Sequence, residues 1–416
     1  MPRRFLVVVA TFLLSLLLYV DRVCISTAKG PIVEELNLTD QQFGWILSAF
    51  AFGYALLQTP SGALADRLGA RSVLTIVVTI WSLFTGLTAA AWNFGSMLVV
   101  RFLFGAGEAG AFPGMARTVY GWFPVQERGL VKGINFSASR FGAAITMPLL
   151  PMLIAALGWP LSFVLLMFVG FVWAGVWWWW FRDEPADHPS ISAPELALIL
   201  SQRQSPSVST AVPAPLPLGR MLASGNMWLM MIQYFGSNFT FFFCLSWLFP
   251  YVQKTYALGY TEAGFYTMIP LLGGAAGNVF SGWLVDTLYR RGRTSWSRRL
   301  PAVLGFGLAS IGLLSSVGQA EVWGAVFWLT LAVFGADMTL SPSWSFCIDI
   351  GGRHAGKVSG TMNMAGNLGS AVVAIVFPYL LAWTGSPSTF FYVGAALNAA
   401  AIVCWLLVRP DRPVSA

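Results

Sequence analysis

Residues 42–71 read QFGWILSAFAFGYALLQTPSGALADRLGAR. From Gln42 to Leu64 no side chain is charged, and a helix of about 20 such residues is long enough to cross a bilayer. The run then ends in Asp66, Arg67 and Arg71 around Gly69. The pattern is not isolated. Gly44, Gly53, Gly62, Asp66 and Arg71 recur at one constant offset as Gly264, Gly273, Gly282, Asp286 and Arg291. Gly133, Gly142 and Pro151 recur, at a slightly longer offset, as Gly360, Gly369 and Pro378. Two sets in the same order indicate a duplicated membrane-spanning unit. Both copies start on the same side, which gives a parallel repeat about an axis along the membrane normal; transporters built this way hold substrate near the midplane, between the halves.

The rest of the chain agrees. Of 416 residues, 56% are hydrophobic and 10% charged, with a mean hydropathy of +0.68. A soluble domain carries about 25% charged residues. Twelve apolar runs are expected to be helices, at roughly 5–26, 42–64, 71–91, 94–119, 129–157, 159–181, 225–253, 261–286, 299–318, 322–347, 357–383 and 388–408. The fold class is therefore all-α, with a six-helix half over 1–181, a polar linker over 182–222 and a second half over 223–416. Ser205 to Pro217 reads as a flexible stretch, with a short surface helix near Glu195 to Gln204 before it. Basic residues gather in alternate loops (Arg3, Arg4, Arg67, Arg71, Arg128, Arg182, Arg203, Arg290, Arg353, Arg409), against Lys29 and Lys254 in the others. By the positive-inside rule both termini face the cytoplasm. The net charge of +7 thus reports topology and no nucleic-acid partner.

Several chemistries are excluded. Cys24, Cys244, Cys347 and Cys404 form no CxxC pair, and the histidines are His188 and His354, so neither a metal site nor a disulfide framework is expected. Gly105 to Gly110 matches GxGxxG but lies in an apolar span with no strand before it. Gly351 to Lys357 falls short of a phosphate loop because Val358 stands where Ser or Thr is needed. No cofactor and no ATP drive are expected, and an enzyme is disfavoured for want of a nucleophile–base pair in the membrane.

Gly62-Ala-Leu-Ala-Asp-Arg-Leu-Gly-Ala-Arg71 resembles the loop signature of the major facilitator superfamily. Four segments more narrowly resemble its anion:cation symporters, which include galactonate and hexuronate carriers, sialin and vesicular glutamate transporters. They are Tyr19-Val-Asp-Arg22, Tyr54-Ala-Leu-Leu-Gln-Thr-Pro60, Arg101-Phe-Leu-Phe-Gly-Ala-Gly-Glu108 with Pro113, and Gly360-Thr-Met-Asn-Met-Ala-Gly-Asn367. The resemblance implies a monomeric secondary transporter in a bacterial inner membrane, moving a small organic anion, such as a sugar acid, with a proton. It also implies that Gly62, Asp66, Arg67, Gly69 and Arg71 govern conformational exchange. Ser139 departs from the galactonate-type pattern, which has glutamine there, and Asp337 is no part of it.

Six ionisable residues fall inside the expected spans: Asp21, Arg22, Arg101, Glu108, Arg140 and Asp337. Each costs about 2.5–3.5 kcal/mol at a helix centre, on the order of 15 kcal/mol together, so they must face one another or a wet cavity. Ionised, the six are neutral; one added proton leaves a single positive charge, which suits one carboxylate. Arg101 and Glu108 lie two turns apart on one helix face, about 10 Å along the axis. Arg22 and Arg101 are expected to bind the substrate carboxylate. Tyr19, Tyr54, Gln58, Ser139, Arg140, Asn363 and Asn367 are expected to line the cavity, and Asp21 and Glu108 to carry the proton. Alternatives stay open: structural ion pairs holding the helices together, or an uncoupled facilitator or anion exchanger.

Overall fold

The computed structural model describes residues 2–123, 128–202, 218–351 and 355–409, and their side chains except at 59, 62–63, 66–67, 128–130, 132, 202, 218, 294, 348 and 355–357. The expected flexible stretch at 205–217 lies outside the described residues, as do Arg203, Arg353, His354 and the side chains of Asp66 and Arg67.

Among the described residues there are helices and no strand. In order they are α1 (Arg3–Thr27), α2 (Lys29–Glu35), α3 (Asp40–Thr88), α4 (Phe94–Glu108), α5 (Ala111–Trp122), α6 (Arg128–Leu157), α7 (Trp159–Trp180), α8 (Ala193–Gln202), α9 (Leu218–Ala223), α10 (Gly225–Ser246), α11 (Leu248–Thr255), α12 (Tyr260–Arg290), α13 (Thr294–Ser316), α14 (Val322–Met338), α15 (Leu340–Gly351), α16 (Ala355–Thr384) and α17 (Ser388–Leu407). Among the described residues nine helical stretches are long and apolar enough to cross a membrane. The protein is an all-α membrane protein.

Several expected spans are not single helices, and proline explains where they break. A proline ring clashes with the carbonyl four residues earlier and offers that carbonyl no N–H. Helix α1 ends at Thr27, four before Pro31; α10 ends at Ser246, four before Pro250; α14 ends at Met338, four before Pro342. Pro113 likewise stands four after Ala109, where α4 gives way to α5. The Met338 carbonyl is rescued by the Ser281 hydroxyl, which donates to it at 2.5 Å. Pro60, Pro148, Pro151, Pro270, Pro301 and Pro378, by contrast, sit inside helices that continue, as bilayer-spanning helices tolerate.

Helix α3 runs through two expected spans, turning at Gly69, whose φ of 79° lies in the left-handed region. An L side chain is strained there, and a Cβ would sit 2.6 Å from a carboxylate oxygen of Asp183. That carboxylate accepts the backbone N–H of Arg71 at 3.1 Å. The Arg71 guanidinium donates to the Trp178 carbonyl, at 2.9 and 2.6 Å, and lies 4.3 Å from that residue's ring. The turn is thereby tied to the end of α7. At the start of α1, Glu195 of α8 accepts the backbone N–H groups of Arg3 and Arg4, each at 2.9 Å. These are among the amides that a helix start leaves without an internal partner.

The chain forms two compact units. The first comprises Met1–Leu38, Ala49–Ala143 and Met152–Val212; the second comprises Thr39–Ser48, Ala144–Pro151 and Pro213–Ala416. The repeat read from the sequence has a counterpart in each. In the first unit Gly53 packs on the Phe102 backbone of α4 and Gly142 on the Leu16 carbonyl of α1. In the second, the equivalent Gly273 packs on Thr330 of α14, and Gly369 on the Phe235 carbonyl of α10. Any Cβ at these places would collide, so glycine is what lets the helices approach this closely.

Candidate substrate site

The close crossing of α3 and α4 builds the site. Gly105 of α4 meets the Phe50 carbonyl as Gly53 of α3 meets that of Phe102, so neighbouring side chains of the two helices converge. The last turns of α1 and the middle of α6 complete the cluster.

Arg22 is ion-paired with Glu108 through the carboxylate oxygen Oε1, and the two side chains are 6% and 0% exposed. The Arg22 guanidinium is also walled by aromatic rings, 4.7 Å from the centroid of Tyr54, 5.1 Å from Tyr19 and 5.2 Å from Phe50. A guanidinium is weakly hydrated and stacks well on rings, which is how so polar a group is held here. The other Glu108 oxygen, Oε2, has no hydrogen-bond partner among the described residues.

Asp21, fully buried, accepts a hydrogen bond from the Trp81 indole at 3.0 Å, while its second oxygen has no such partner among the described residues. It lies within Coulombic range of Glu108 and Arg101. Arg101 is 1% exposed; its Nε and Nη1 have no hydrogen-bond acceptor among the described residues, and its guanidinium lies 4.2 Å from the Phe104 ring. Arg140, on α6, is buried with its guanidinium 5.7 Å from the Tyr19 ring, and its Nη1 lies 3.5 Å from the Tyr19 hydroxyl as a long hydrogen bond. Buried charged atoms left without partners are costly, so their clustering marks groups kept for something other than stability.

The structure thus gathers Tyr19, Asp21, Arg22, Tyr54, Arg101, Glu108 and Arg140 into one unit. Ser139 is buried, and its hydroxyl donates to the Asn135 carbonyl one turn back. Gln58 is half-buried on α3. Asn363 and Asn367 belong to the second unit, where Asn367 donates to the Asn363 carbonyl at 3.0 Å. Asp337 also belongs to the second unit, facing Gly274 of α12 closely enough to exclude a Cβ there. Gly69 and Arg71 form the turn described above, apart from the charge cluster, while the side chains of Asp66 and Arg67 lie outside the described residues.

Three contributors escape a reading of the sequence: Trp81, Phe50 and Phe104. Each is an uncharged aromatic in an apolar span, where aromatics ordinarily pack or face lipid. The available signal was indirect. A buried indole N–H needs an acceptor, and Asp21 is an acceptor in another apolar span.

Comparison with known proteins follows the same line. The family profile of the Major Facilitator Superfamily matches residues 11–374. The chain is 33% identical over 399 residues to the probable sulfoacetate transporter SauU of Cupriavidus necator, covering 96% of this chain and 92% of that protein. It is 34% identical over 426 residues to the probable galactarate/D-glucarate transporter GarP of Escherichia coli, covering 98% and 95%. In fold it is similar to a D-xylose-proton symporter, with a TM-score of 0.77, 17% identity and coverage of 97% and 98%.

Proposed function

Because the chain belongs to the Major Facilitator Superfamily, whose members are membrane transporters and not enzymes, we propose that it carries a small organic anion together with a proton by alternating access. The Arg22–Glu108 ion pair, buried between α1 and α4, carries this reading. An anion entering the site needs a fixed cation, and Arg22 is already occupied by a carboxylate. Removing one partner from a buried pair costs about 3–5 kcal/mol, a factor of at least a hundred in affinity. Protonation of Glu108 cancels that cost, because a neutral carboxyl has no charge to lose. The substrate carboxylate then replaces Glu108 on Arg22, and proton and anion each favour binding of the other, as linkage requires.

Asp21 is the second proton carrier in this scheme, and Arg101 is the cation that answers its charge when ionised. Tyr19, Tyr54, Gln58, Ser139 and Arg140 shape the site in the first half. Asn363 and Asn367 offer amides for substrate hydroxyls from the second. The sulfoacetate and galactarate or D-glucarate named for the relatives support an organic acid as cargo. Residues 1–181 and 223–416 act as the two rocking halves, with 182–222 as the link and Gly62, Asp66, Arg67, Gly69 and Arg71 setting the rate of exchange. The loop arginines favour cytoplasmic termini in a bacterial inner membrane. The protein works as a monomer.

Glu108→Gln tests the scheme, since the amide mimics the protonated acid. In proteoliposomes the variant should bind and exchange the anion but lose uphill accumulation driven by external acid. Continued acid-driven accumulation in both Glu108→Gln and Asp21→Asn would remove the proton from this pair and leave an uncoupled carrier or exchanger.

A further inference from the structure

The stretch 183–195, which follows α7, ties three other elements of the first unit to that helix's end. Asp183 accepts the Arg71 amide at the α3 turn. The Ser190 carbonyl accepts from Arg3 Nε at 3.1 Å, and Glu195 accepts the Arg3 and Arg4 amides at the start of α1. Just before the stretch, the Arg182 carbonyl accepts the Trp122 indole of α5 at 2.8 Å.

From 183 to 190 the residues are exposed except Pro185 and His188. His188 is 3% exposed and sits between two indoles, 5.6 Å from the Trp122 ring at 90° and 5.2 Å from the Trp180 ring at 74°. Its Nδ1 accepts the Ser190 amide at 3.3 Å, so the ring is neutral with its proton on Nε2. That buried Nε2 has no hydrogen-bond partner among the described residues. An unmet buried N–H is costly, and a side chain kept for packing alone would be apolar here.

The charges that face His188 are Arg3 from α1, Arg182 from the end of α7 and Glu195 from α8; α5 faces it with Trp122, and Glu184 and Asp187 are exposed beside it in the chain. Burial, then Arg3 and Arg182, lower His188 below the ordinary imidazole value, and Glu195 opposes them in part. Both Glu195 oxygens are already taken by the Arg3 and Arg4 amides. A proton on Nδ1 turns an acceptor into a donor, expels the Ser190 amide and sets a third cation beside Arg3 and Arg182.

We propose that 183–195 is a strap fastened by His188, and that a proton taken up by His188 releases it. The neutral ring holds the strap in full above about pH 6.5, and the hold weakens as pH falls below that value. Release separates the start of α1 from the ends of α5 and α7, which must move together when the half rocks. Acid on that side therefore slows the carrier. Resting on the proton-coupled reading above, that side is the cytoplasm, and protons delivered with the cargo brake further uptake.

The test is amide hydrogen exchange in the solubilised full-length protein, corrected for the intrinsic pH dependence of exchange. Between about pH 7.5 and about pH 5.5, protection of the Arg3, Arg4 and Ser190 amides should fall about tenfold. His188→Asn cannot take a charge and keeps an oxygen near the place of Nδ1, so its protection should persist in acid. His188→Lys should be unprotected at both pH values. A second measurement needs no change at 188: His354→Gln leaves one imidazole, and its NMR titration should be centred below about 6.5. Protection that stays flat or rises in acid overturns the strap, as does an imidazole titrating at or above that value. Neither readout involves cargo or coupling, so such a failure leaves the symport reading standing, and loss of acid-driven uptake leaves the strap standing.

Discussion

The two units of this protein differ in the polar groups they bury. In the first, the charges Asp21, Arg22, Arg101, Glu108 and Arg140 gather, and among the described residues several atoms lack hydrogen-bond partners: one oxygen each of Asp21 and Glu108, and two nitrogens of Arg101. In the second, which also holds Asp337, a set of neutral groups satisfies itself. The Gln233 side-chain carbonyl accepts from the Ser343 hydroxyl and the Trp405 indole, both at 3.2 Å, and its amide donates to the Met230 carbonyl. The Trp344 indole donates to the Tyr234 hydroxyl at 3.0 Å, Ser237 and Thr339 share a bond of 2.8 Å, and Asn398 donates to Thr240 at 3.0 Å. A satisfied neutral network specifies packing. A charged cluster with spare valences is poorly stabilising and well suited to exchanging partners. The duplicated framework of glycine-mediated crossings has thus been filled with two different chemistries.

Changes in the charged cluster should alter binding and coupling with little effect on stability, and changes in the neutral network the reverse. The largest effect is expected at Arg22. Arg22→Lys keeps the charge but loses the planar fork and the ring stacking, and should weaken anion affinity about a hundredfold with protein yield unchanged. Near-normal affinity, measured by equilibrium binding, would strike Arg22 from the site. Next is Trp81→Phe, which takes from Asp21 the indole N–H that it accepts. A hydrogen bond to a charged group contributes about 1.5–3 kcal/mol, so acid-driven accumulation in proteoliposomes should fall about tenfold while anion exchange is kept. Unchanged accumulation means that Asp21 takes no part in coupling.

Gln233→Ala should do the opposite kind of damage. It strands the Trp405 indole, costing about 1–3 kcal/mol of stability, and should lower the thermal transition of the solubilised protein while affinity stays within about twofold. A binding defect without a stability defect would make the second unit's network a recognition site and dissolve the contrast. The smallest effect is expected at Gly69→Ala, where the left-handed φ costs an L residue about 1–2 kcal/mol. Transport should slow with binding unchanged, because the turn lies apart from the charge cluster. Loss of affinity at an unchanged rate would show that the turn shapes the site itself.

What the sequence by itself determined is the membrane, the helices and the duplication. Hydrophobic runs of bilayer length can satisfy their backbone in lipid only as helices, so Gln42 to Leu64 and its fellows admit no other fold. The glycine repeat was legible because glycine permits the closest approach of helices, which is why Gly53 and Gly273 could be matched without coordinates. The prolines were equally visible, but not which of them break a helix: Pro342 does and Pro270 does not, because the outcome depends on how each neighbourhood accommodates the freed carbonyl, as Ser281 does for Met338. The ionisable residues stood out by type, since charge in a membrane is too costly to be casual. Tertiary structure alone decided their pairing. Arg101 and Glu108 share a helix face, yet Glu108 is paired with Arg22 of another helix, and Asp21 with an indole that nothing along the chain distinguishes from its lipid-facing kin. Interaction energy depends on distance in space, and only the folded unit brings α1 beside α4 at Arg22 and beside α3 at Trp81.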